Sequence, residues 1–485
     1  MSKLLSDIIS HVSVLAIKGN PEILIGKVAF DSRKVTKGDL FVAIPGTKVD
    51  GHDYIDQAID NGATAVLCEI SDENDRDICW VKTGDSSIAL AQVASAFYDF
   101  PSRALKLTGI TGTNGKTTTA TLLYKLFKAF GYKTGLLSTV SVYIDEKSIN
   151  ATHTTPDALA VNKYLREMVN AGCQYAFMEV SSHAIQQNRV FDLDFDVAVF
   201  SNITHDHLDY HKTFDAYIAA KKMFFDKLPA SASALVNIDD RNGRVMIQNT
   251  AAETFTYALK KPADFKAKVI ENSFEGLQME INGKQVWTRL AGNFNAYNIL
   301  SVYGVACLLN QPEDEVLTML SALQAAAGRF DVIKSEDGRS AIIDYAHTPD
   351  ALENVLKTIQ DARSKDQQLV TVVGAGGDRD KTKRPVMAEI AATYSDKVIL
   401  TSDNPRSEDP QSIIDDMKTG IPKEKQHQIL EIPDRKQAIH TACMIAANKD
   451  IILVAGKGHE TYQEVQGKRH HFDDRQIIQT IFENQ

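Results

Sequence analysis

Residues 105–130 read LKLTGITGTNGKTTTATLLYKLFKAF. Residues 105–110 form an apolar run of the right length for a buried strand. A glycine-broken turn follows, Gly112-Thr113-Asn114-Gly115-Lys116-Thr117-Thr118. Leu122, Leu123, Leu126, Phe127 and Phe130 then recur at helical spacing, and Gly131 is a natural helix stop. Strand, glycine turn and helix start together make a phosphate cradle. Glycine lets backbone N–H groups face an anion, and the helix N-terminus adds partial positive charge. Lys116 can reach the β- and γ-phosphates of a nucleotide, and the Thr117 hydroxyl can ligate Mg²⁺. The spacing is G-x-x-G-K-T; the longer G-x-x-x-x-G-K-T would need glycine at Ile110. A glycine turn ahead of an ordinary helix is the plainer reading of the same letters.

Around this stretch lie 485 residues, which predicts about three domains, each able to bury its own core. Lys+Arg 53 against Asp+Glu 63 gives a net charge of −10, which argues against general nucleic-acid binding. An anionic substrate would need local basic pockets. The five cysteines are odd in number and include no C-x-x-C, so reduced thiols in a cytoplasmic protein are the simple expectation. Asp7 and His11 interrupt the N-terminal apolar residues, and no run of about 20 apolar residues occurs. Neither a signal peptide nor a membrane partner is expected.

Residues 1–103 predict a small α/β domain, with strands at 40–44 and 65–68 and helices at 54–61 and 88–100. Pro101-Ser102-Arg103 reads as a linker. Asp31-Ser32-Arg33 in this unit is, taken alone, a turn with a solvated arginine. Residues 104–329 predict the central domain. A strand at 175–180 delivers Glu179 and then Ser181-Ser182-His183. Another at 196–200 leads into Ser201-Asn202-Ile203-Thr204-His205-Asp206-His207-Leu208-Asp209-Tyr210-His211. In open α/β sheets ligands sit beyond the carboxyl ends of strands. Residues 330–485 alternate strands (341–344, 368–373, 397–401, 450–455) with helices, a doubly wound, Rossmann-like pattern. Gly374-Ala375-Gly376-Gly377 lacks G-x-G-x-x-G, so NAD is rejected.

Several of these pieces are bland alone. A carboxylate ending a strand often partners a helix start, and one histidine among several is commonly just a solvated side chain. Lys221-Lys222 after Tyr217-Ile218-Ala219-Ala220 reads as a solvated pair on a helix. Asn295 and Asn298, on one helix face, could cap.

Together, T-G-T-N-G-K-T, E-V-S-S-H, N-x-T-x-D-H-L-D-Y-H, Y-x-A-A-K and G-x-F-N-x-x-N resemble the Mur ligases and their folylpolyglutamate synthase relatives. These are ATP-dependent amide-bond-forming enzymes that work through an acyl phosphate. The resemblance covers essentially the whole chain. It implies three α/β domains: a uridine-diphosphate domain, a P-loop ATPase domain and an amino-acid domain. It places ATP on 112–118, Asn295, Asn298, Arg329, Asp344 and His347. It implies two Mg²⁺ sites, with Thr117, Glu179 and His207 as ligands, and a carbamylated Lys221. Lys116, Glu179, His207 and Lys221 then carry the catalysis. Ser32, in the D-S-R turn, and Thr154, Thr155, Ser181, Gln187 and Arg189 are implied contacts to the uridine-diphosphate substrate. The loop Thr152-His153-Thr154-Thr155-Pro156 departs from the family's N-T-T-G form at His153 and Pro156.

Three strand-end segments of the last domain imply an amino-acid pocket: Asp378 to Pro385, Asp403-Asn404-Pro405-Arg406, and Gly456-Lys457-Gly458-His459-Glu460. D-N-P-R resembles the mark of family members that take meso-2,6-diaminopimelate; lysine-adding relatives usually lack that arginine. Arg406 can bind the distal carboxylate with two N–H donors. Left without an anion, a buried Arg406 would carry a large desolvation penalty, so lysine is disfavoured. Glu460 and the Gly456 carbonyl could receive the distal ammonium, Arg384 the proximal carboxylate, and Asp403 and Asn404 complete the pocket. The implied partners are UDP-N-acetylmuramoyl-L-Ala-D-Glu and meso-diaminopimelate, on a monomeric chain. The alternatives are a lysine-adding ligase, a folylpolyglutamate synthase, or a non-catalytic nucleotide-binding scaffold.

Overall fold

The computed structural model describes residues 2–46, 49–70, 76–151, 153–206, 208–324 and 328–484. Three principal sheets organise the chain. The first has the strand order Val14–Lys18, Cys79–Thr83, Ala63–Cys68, Asp39–Val42, Val28–Ala29. Its last four strands are parallel, and Val14–Lys18 runs antiparallel at the edge. The helix Ser86–Phe97 packs on it, started by Asp85, whose carboxylate accepts from the N–H groups of Ser87 and Ile88.

The central sheet has eleven strands. Its middle is parallel: Thr134–Leu137, Tyr175–Glu179, Lys106–Thr111, Val197–Phe200 and Ser233–Asn237 lie side by side. The Lys106–Thr111 strand is therefore flanked by the two strands whose ends carry Glu179 and Ser201. The Lys116–Ala129 helix covers it, burying Leu122, Leu123, Leu126 and Phe127 completely. Each such side chain contributes about 1.5–3 kcal/mol of hydrophobic stabilisation. An antiparallel extension, Phe265–Ser273, Gly276–Ile281 and Lys284–Thr288, continues the sheet on one side.

The third sheet runs Asp331–Lys334, Ser340–Asp344, Ile451–Ala455, Leu369–Ala375, Lys397–Ser402, Ile429–Glu431. Only the first strand is antiparallel. Pro349–Ala362, Lys383–Tyr394 and Pro410–Lys418 bury residues in one hydrophobic cluster, and Arg435–Ile445 and Asp474–Glu483 in another. Strand residues alternate between the two clusters, so the sheet is covered on both faces, as doubly wound folds require. Under the second layer lies a completely buried ion pair. Arg435 donates through Nε and Nη2 to the two Asp474 oxygens at 2.9 and 2.7 Å. Such a pair leaves no net charge in the core, which is the condition for tolerating it.

The predicted linker at 101–103 falls on a compact turn. Pro101–Ala104 forms a 3₁₀ turn; the Ser102 hydroxyl accepts from Asp194 N–H, and Arg103 pairs with Asp194. Among the described residues no helix is long and apolar enough to cross a membrane.

Candidate active site at the strand ends

The loop after Lys106–Thr111 has the conformation that its glycines were expected to provide. Gly112 stands at φ +149° and Gly115 at φ +86°. A Cβ on Gly115 would lie 2.4 Å from Asn298 Oδ1, and one on Gly112 1.9 Å from Ser201 Oγ. No side chain caps the Lys116–Ala129 helix, so its first N–H groups remain for a ligand. Thr118 is buried in that first turn. The loop is braced from below: Thr113 N–H donates to Asn202 O, Asn114 N–H to Asn202 Oδ1, and Ser201 Oγ to Asn114 O.

Two lysines converge on one carbonyl. Lys116 Nζ donates to Gly112 O at 2.9 Å and Thr113 O at 2.8 Å, and Lys221 Nζ donates to the same Gly112 O at 2.8 Å. Lys221 is buried, not solvated as its place on a helix suggested, and its Nζ sits 4.7 Å from the centre of the Tyr217 ring. Desolvation, and then the charge of Lys116, hold Lys221 well below the ordinary lysine range. Lys116 is lowered too, again chiefly by desolvation. Lys221 is therefore the lysine here most inclined to the neutral amine.

Glu179 is 1% exposed at its strand end. Its Oε2 accepts from Thr117 Oγ1 at 3.0 Å, and its Oε1 from Thr139 N–H at 2.7 Å. A buried carboxylate beside a hydroxyl is an oxygen donor pair of the kind Mg²⁺ prefers. Arg329 reaches the same hydroxyl: its Nη2 lies 3.1 Å from Thr117 Oγ1, and its buried Nε has no partner among the described residues. A phosphate oxygen would satisfy that N–H. The group stacks 4.7 Å above the Tyr345 ring. Among the described residues no cluster of three or more His, Cys, Asp or Glu is preformed for a metal. His207 lies outside the described residues.

The other expected nucleotide residues support the loop from behind. Asn298 Oδ1 faces Gly115, and Asn298 Nδ2 donates to Asn295 Oδ1 at 3.0 Å. Asn295 in turn donates to Ala291 O, and Gly292 occupies the cap position, so neither asparagine caps the helix. Asp344 accepts from the N–H groups of Phe330 and Ala346, which fixes the turn carrying Arg329. His347 Nδ1 is 2.8 Å from Tyr345 O.

Desolvation pushes Asp344 up from 3.8 to about 6, against the opposing pull of Arg329. The folded protein thus holds this proton more tightly than the unfolded chain. Stability from this group is fully present below 3.8, falls as pH rises toward 6, and is level above that. The difference amounts to about 3 kcal/mol. Comparison with Asp344→Asn isolates it. The wild-type melting temperature minus the variant's is expected to shrink as pH rises from about 4 to 6.5. A constant difference in thermal melts would contradict the assigned burial cost.

The expected sugar-nucleotide contacts divide. Asp31 caps the 3₁₀ turn Ser32–Lys34 and pairs with exposed Arg33, while Ser32 Oγ turns inward to Gln57 Oε1 at 2.7 Å. Thr155 is buried; its hydroxyl donates to Glu179 O and accepts from Ser181 N–H. It therefore holds two loops together, with its hydroxyl engaged on both sides. Ser181 caps the helix Ser182–Gln186. Thr154 bonds Thr139, and Arg189 binds Gln187 Oε1 and Thr155 O, leaving a half-buried guanidinium at the rim.

In the third domain Asp403, Asn404, Arg406, Gly456 and Glu460 do come together. Asn404 Nδ2 donates to Glu460 Oε2 at 2.9 Å, and a Cβ on Gly456 would lie 2.6 Å from Asp403 Oδ2. Arg406 is in the left-handed region at φ +52°, pinned on both sides by the Tyr462–Val465 strand. Its N–H donates to Glu464 O, and its carbonyl accepts from Gln466 N–H. Arg406 Nη1 donates to Gly377 O at 2.6 Å. Arg384 does not stand free for a substrate carboxylate. Glu408 takes both of its Nη groups at 2.9 and 2.8 Å, and Asp416 takes Nη1 at 2.8 Å. A guanidinium that is 1% exposed needs such anions.

Sequence reasoning missed Lys457, fully buried within this pocket, although it stands inside the G-K-G-H-E segment already singled out. It also missed Asp350, whose carboxylate accepts from Asn114 Nδ2 at 2.7 Å and so ties the third domain to the phosphate loop. Lys383 and Asp206 form a second tie between these domains.

The chain is similar to known proteins over nearly its whole length. The chain matches the models for the Mur ligase family catalytic domain at residues 25–98, the Mur ligase middle domain at 110–306 and the Mur ligase glutamate ligase domain at 328–458. It is 54% identical over 481 residues to the UDP-N-acetylmuramoyl-L-alanyl-D-glutamate–2,6-diaminopimelate ligase of Cytophaga hutchinsonii, covering 99% of both chains. It is 52% identical to the protein of that name from Phocaeicola vulgatus, over 99% of this chain and all of the relative. A solved structure of a ligase of that name superposes with a TM-score of 0.71 at 32% identity, covering 100% of this chain and 99% of the other. Matched over nearly its full length, the chain belongs to the Mur ligase family.

Proposed function

We propose that this enzyme joins meso-2,6-diaminopimelate to UDP-N-acetylmuramoyl-L-alanyl-D-glutamate, with cleavage of ATP, in the synthesis of peptidoglycan precursor. The observation that carries the reading is the D-N-P-R loop, with Arg406 held by a hairpin beside Asp403, Asn404 and Glu460. It is supported by the five whole-length relatives of that name at 51–54% identity. The domains are read as 1–103 for the sugar nucleotide, 104–329 for ATP and 330–485 for the amino acid.

The γ-phosphoryl group of ATP passes to the D-glutamate γ-carboxylate. The amine of diaminopimelate attacks the resulting acyl phosphate, and phosphate leaves as the amide forms. Lys116, Arg329 and the helix N-terminus offset the charge crowded at the transferred phosphoryl. Thr117 and Glu179, with His207 for a second ion, would hold Mg²⁺, which supplies charge neutralisation and orientation of phosphate oxygens. Lys221, as the neutral amine, would add CO₂ by forming an N–C bond and shedding a proton, becoming an anion fit to face the metal. Arg189, Gln187, Ser181, Thr154 and Ser32 line the sugar-nucleotide path in this reading. The buried thiols suit a reducing, cytoplasmic setting.

The test is phosphate release by purified enzyme with ATP, Mg²⁺, the muramoyl dipeptide and a panel of amino acids. Release is expected with meso-diaminopimelate and far less with L-lysine. Release that ignores the amino acid supplied, or that requires a folate in place of the dipeptide, would sink the proposal.

A further inference from the structure

Lys457 is a cation of the amino-acid pocket to which the proposed reaction gives no task. Its side chain is fully buried. Nζ donates to Glu460 Oε2 at 3.0 Å and Asn404 Oδ1 at 3.1 Å, and lies 3.8 Å from Asp403 Oδ1. Glu460 Oε2 also accepts from Asn404 Nδ2 at 2.9 Å. One carboxylate oxygen is thus spent on two resident donors. The other, Oε1, has only a 3.5 Å contact with the Tyr345 hydroxyl and is the oxygen left for an incoming ammonium.

The charges around this point can be counted. Asp403 and Glu460 are anionic; Lys457 and Arg406 are cationic. Arg435 and Asp474, behind the Ala455–Gly456 backbone, cancel each other. The two acids and two bases of the D-N-P-R and G-K-G-H-E segments therefore sum to zero. The far end of diaminopimelate, an ammonium and a carboxylate on one carbon, also sums to zero. The far end of lysine is a lone ammonium. Placing that ammonium in a site with no net charge leaves a desolvated cation without a counter-ion, which low-dielectric surroundings penalise.

Resting on the function proposed above, we infer that Lys457 is a specificity-determining residue, acting through Glu460. It is a resident ammonium that cancels half of the pocket's acidity. The pocket then fits an amino acid whose distal end carries no net charge and rejects one whose distal end is cationic. Arg406 recognises the distal carboxylate; Lys457 prevents the two acids from rewarding an ammonium alone. Loss of either cation leaves the pocket acidic, but only loss of Lys457 does so with the carboxylate clamp intact.

The experiment measures kcat/KM for meso-diaminopimelate and for L-lysine with the full-length wild type, Lys457→Met and Lys457→Arg. In Lys457→Met the diaminopimelate-to-lysine ratio is expected to fall about tenfold or more, chiefly through the two KM values. Lys457→Arg keeps the charge; its larger guanidinium is expected to lower both activities while the diaminopimelate-to-lysine ratio stays within about threefold of wild type. A purely structural role would lower both activities together and leave the ratio fixed, which overturns the inference. If Lys457→Met does not fold, Glu460→Gln shifts the count the other way, and its ratio is expected to rise; an unchanged ratio there overturns the inference equally. A wild type that uses neither amino acid refutes the functional reading instead, so the two failures are distinct.

Discussion

Lys116→Met is expected to lower kcat for amide formation about 10³-fold, with folding intact. The side chain lies at the mouth of the phosphate loop, donating to Gly112 O and Thr113 O. Those carbonyls are placeholders, since an ammonium lowered by desolvation gains most from a nearby anion. A transferring phosphoryl group is such an anion, and its charge spreads over oxygens within reach of the loop. Methionine keeps the stem and removes only the charge, so the Lys116–Ala129 helix and its buried leucines should be undisturbed. The measurement is single-turnover phosphoryl transfer, with a thermal melt as control. A variant within tenfold of wild type would show that Arg329 and the helix N-terminus suffice, and Lys116 would lose its assigned role.

Arg406→Ala is expected to cut kcat/KM for meso-diaminopimelate about 10³-fold while changing that for L-lysine by only a few fold. A pocket built to pair with a carboxylate loses two charge-assisted donors, and the substrate's acid group is then buried unpaired. One complication is conformational. Arg406 sits at φ +52°, where a Cβ costs about 1–2 kcal/mol, a cost the arginine already bears. Alanine keeps that strain and glycine relieves it, so Arg406→Gly tests whether loop posture or the guanidinium matters. Both should lose diaminopimelate alike. If glycine restored it, selection would reside in the loop's shape and the role of the side chain would fall.

The sequence made the nucleotide half of the site legible because its chemistry is local. Gly112, Gly115, Lys116 and Thr117 lie within one turn, and strand, loop and helix must follow in that order to work. The place of Glu179 was legible for a related reason, since a strand parallel to the phosphate strand ends at the same edge of the sheet. The functions of charged groups far apart in sequence were not legible. Arg384 looked like a substrate clamp until Glu408 and Asp416 were found on it. Thr155 looked like a ligand contact until its hydroxyl was found tying Glu179 to Ser181. Asp350 reaches Asn114 across 236 residues, and no periodicity encodes that. The antiparallel extension of the central sheet left no mark strong enough to separate it from loop.

The hairpin Tyr462–Val465 and Lys468–His471 gives Arg406 its backbone partners, yet touches no part of the phosphate cradle that is described above. Discrimination among amino acids and activation of the acid thus rest on different backbone supports, joined at Tyr345, whose ring lies under Arg329 and whose hydroxyl meets Glu460. Exchanging this ribbon together with the D-N-P-R loop it grips would retune the choice of amino acid with little disturbance of the phosphate loop.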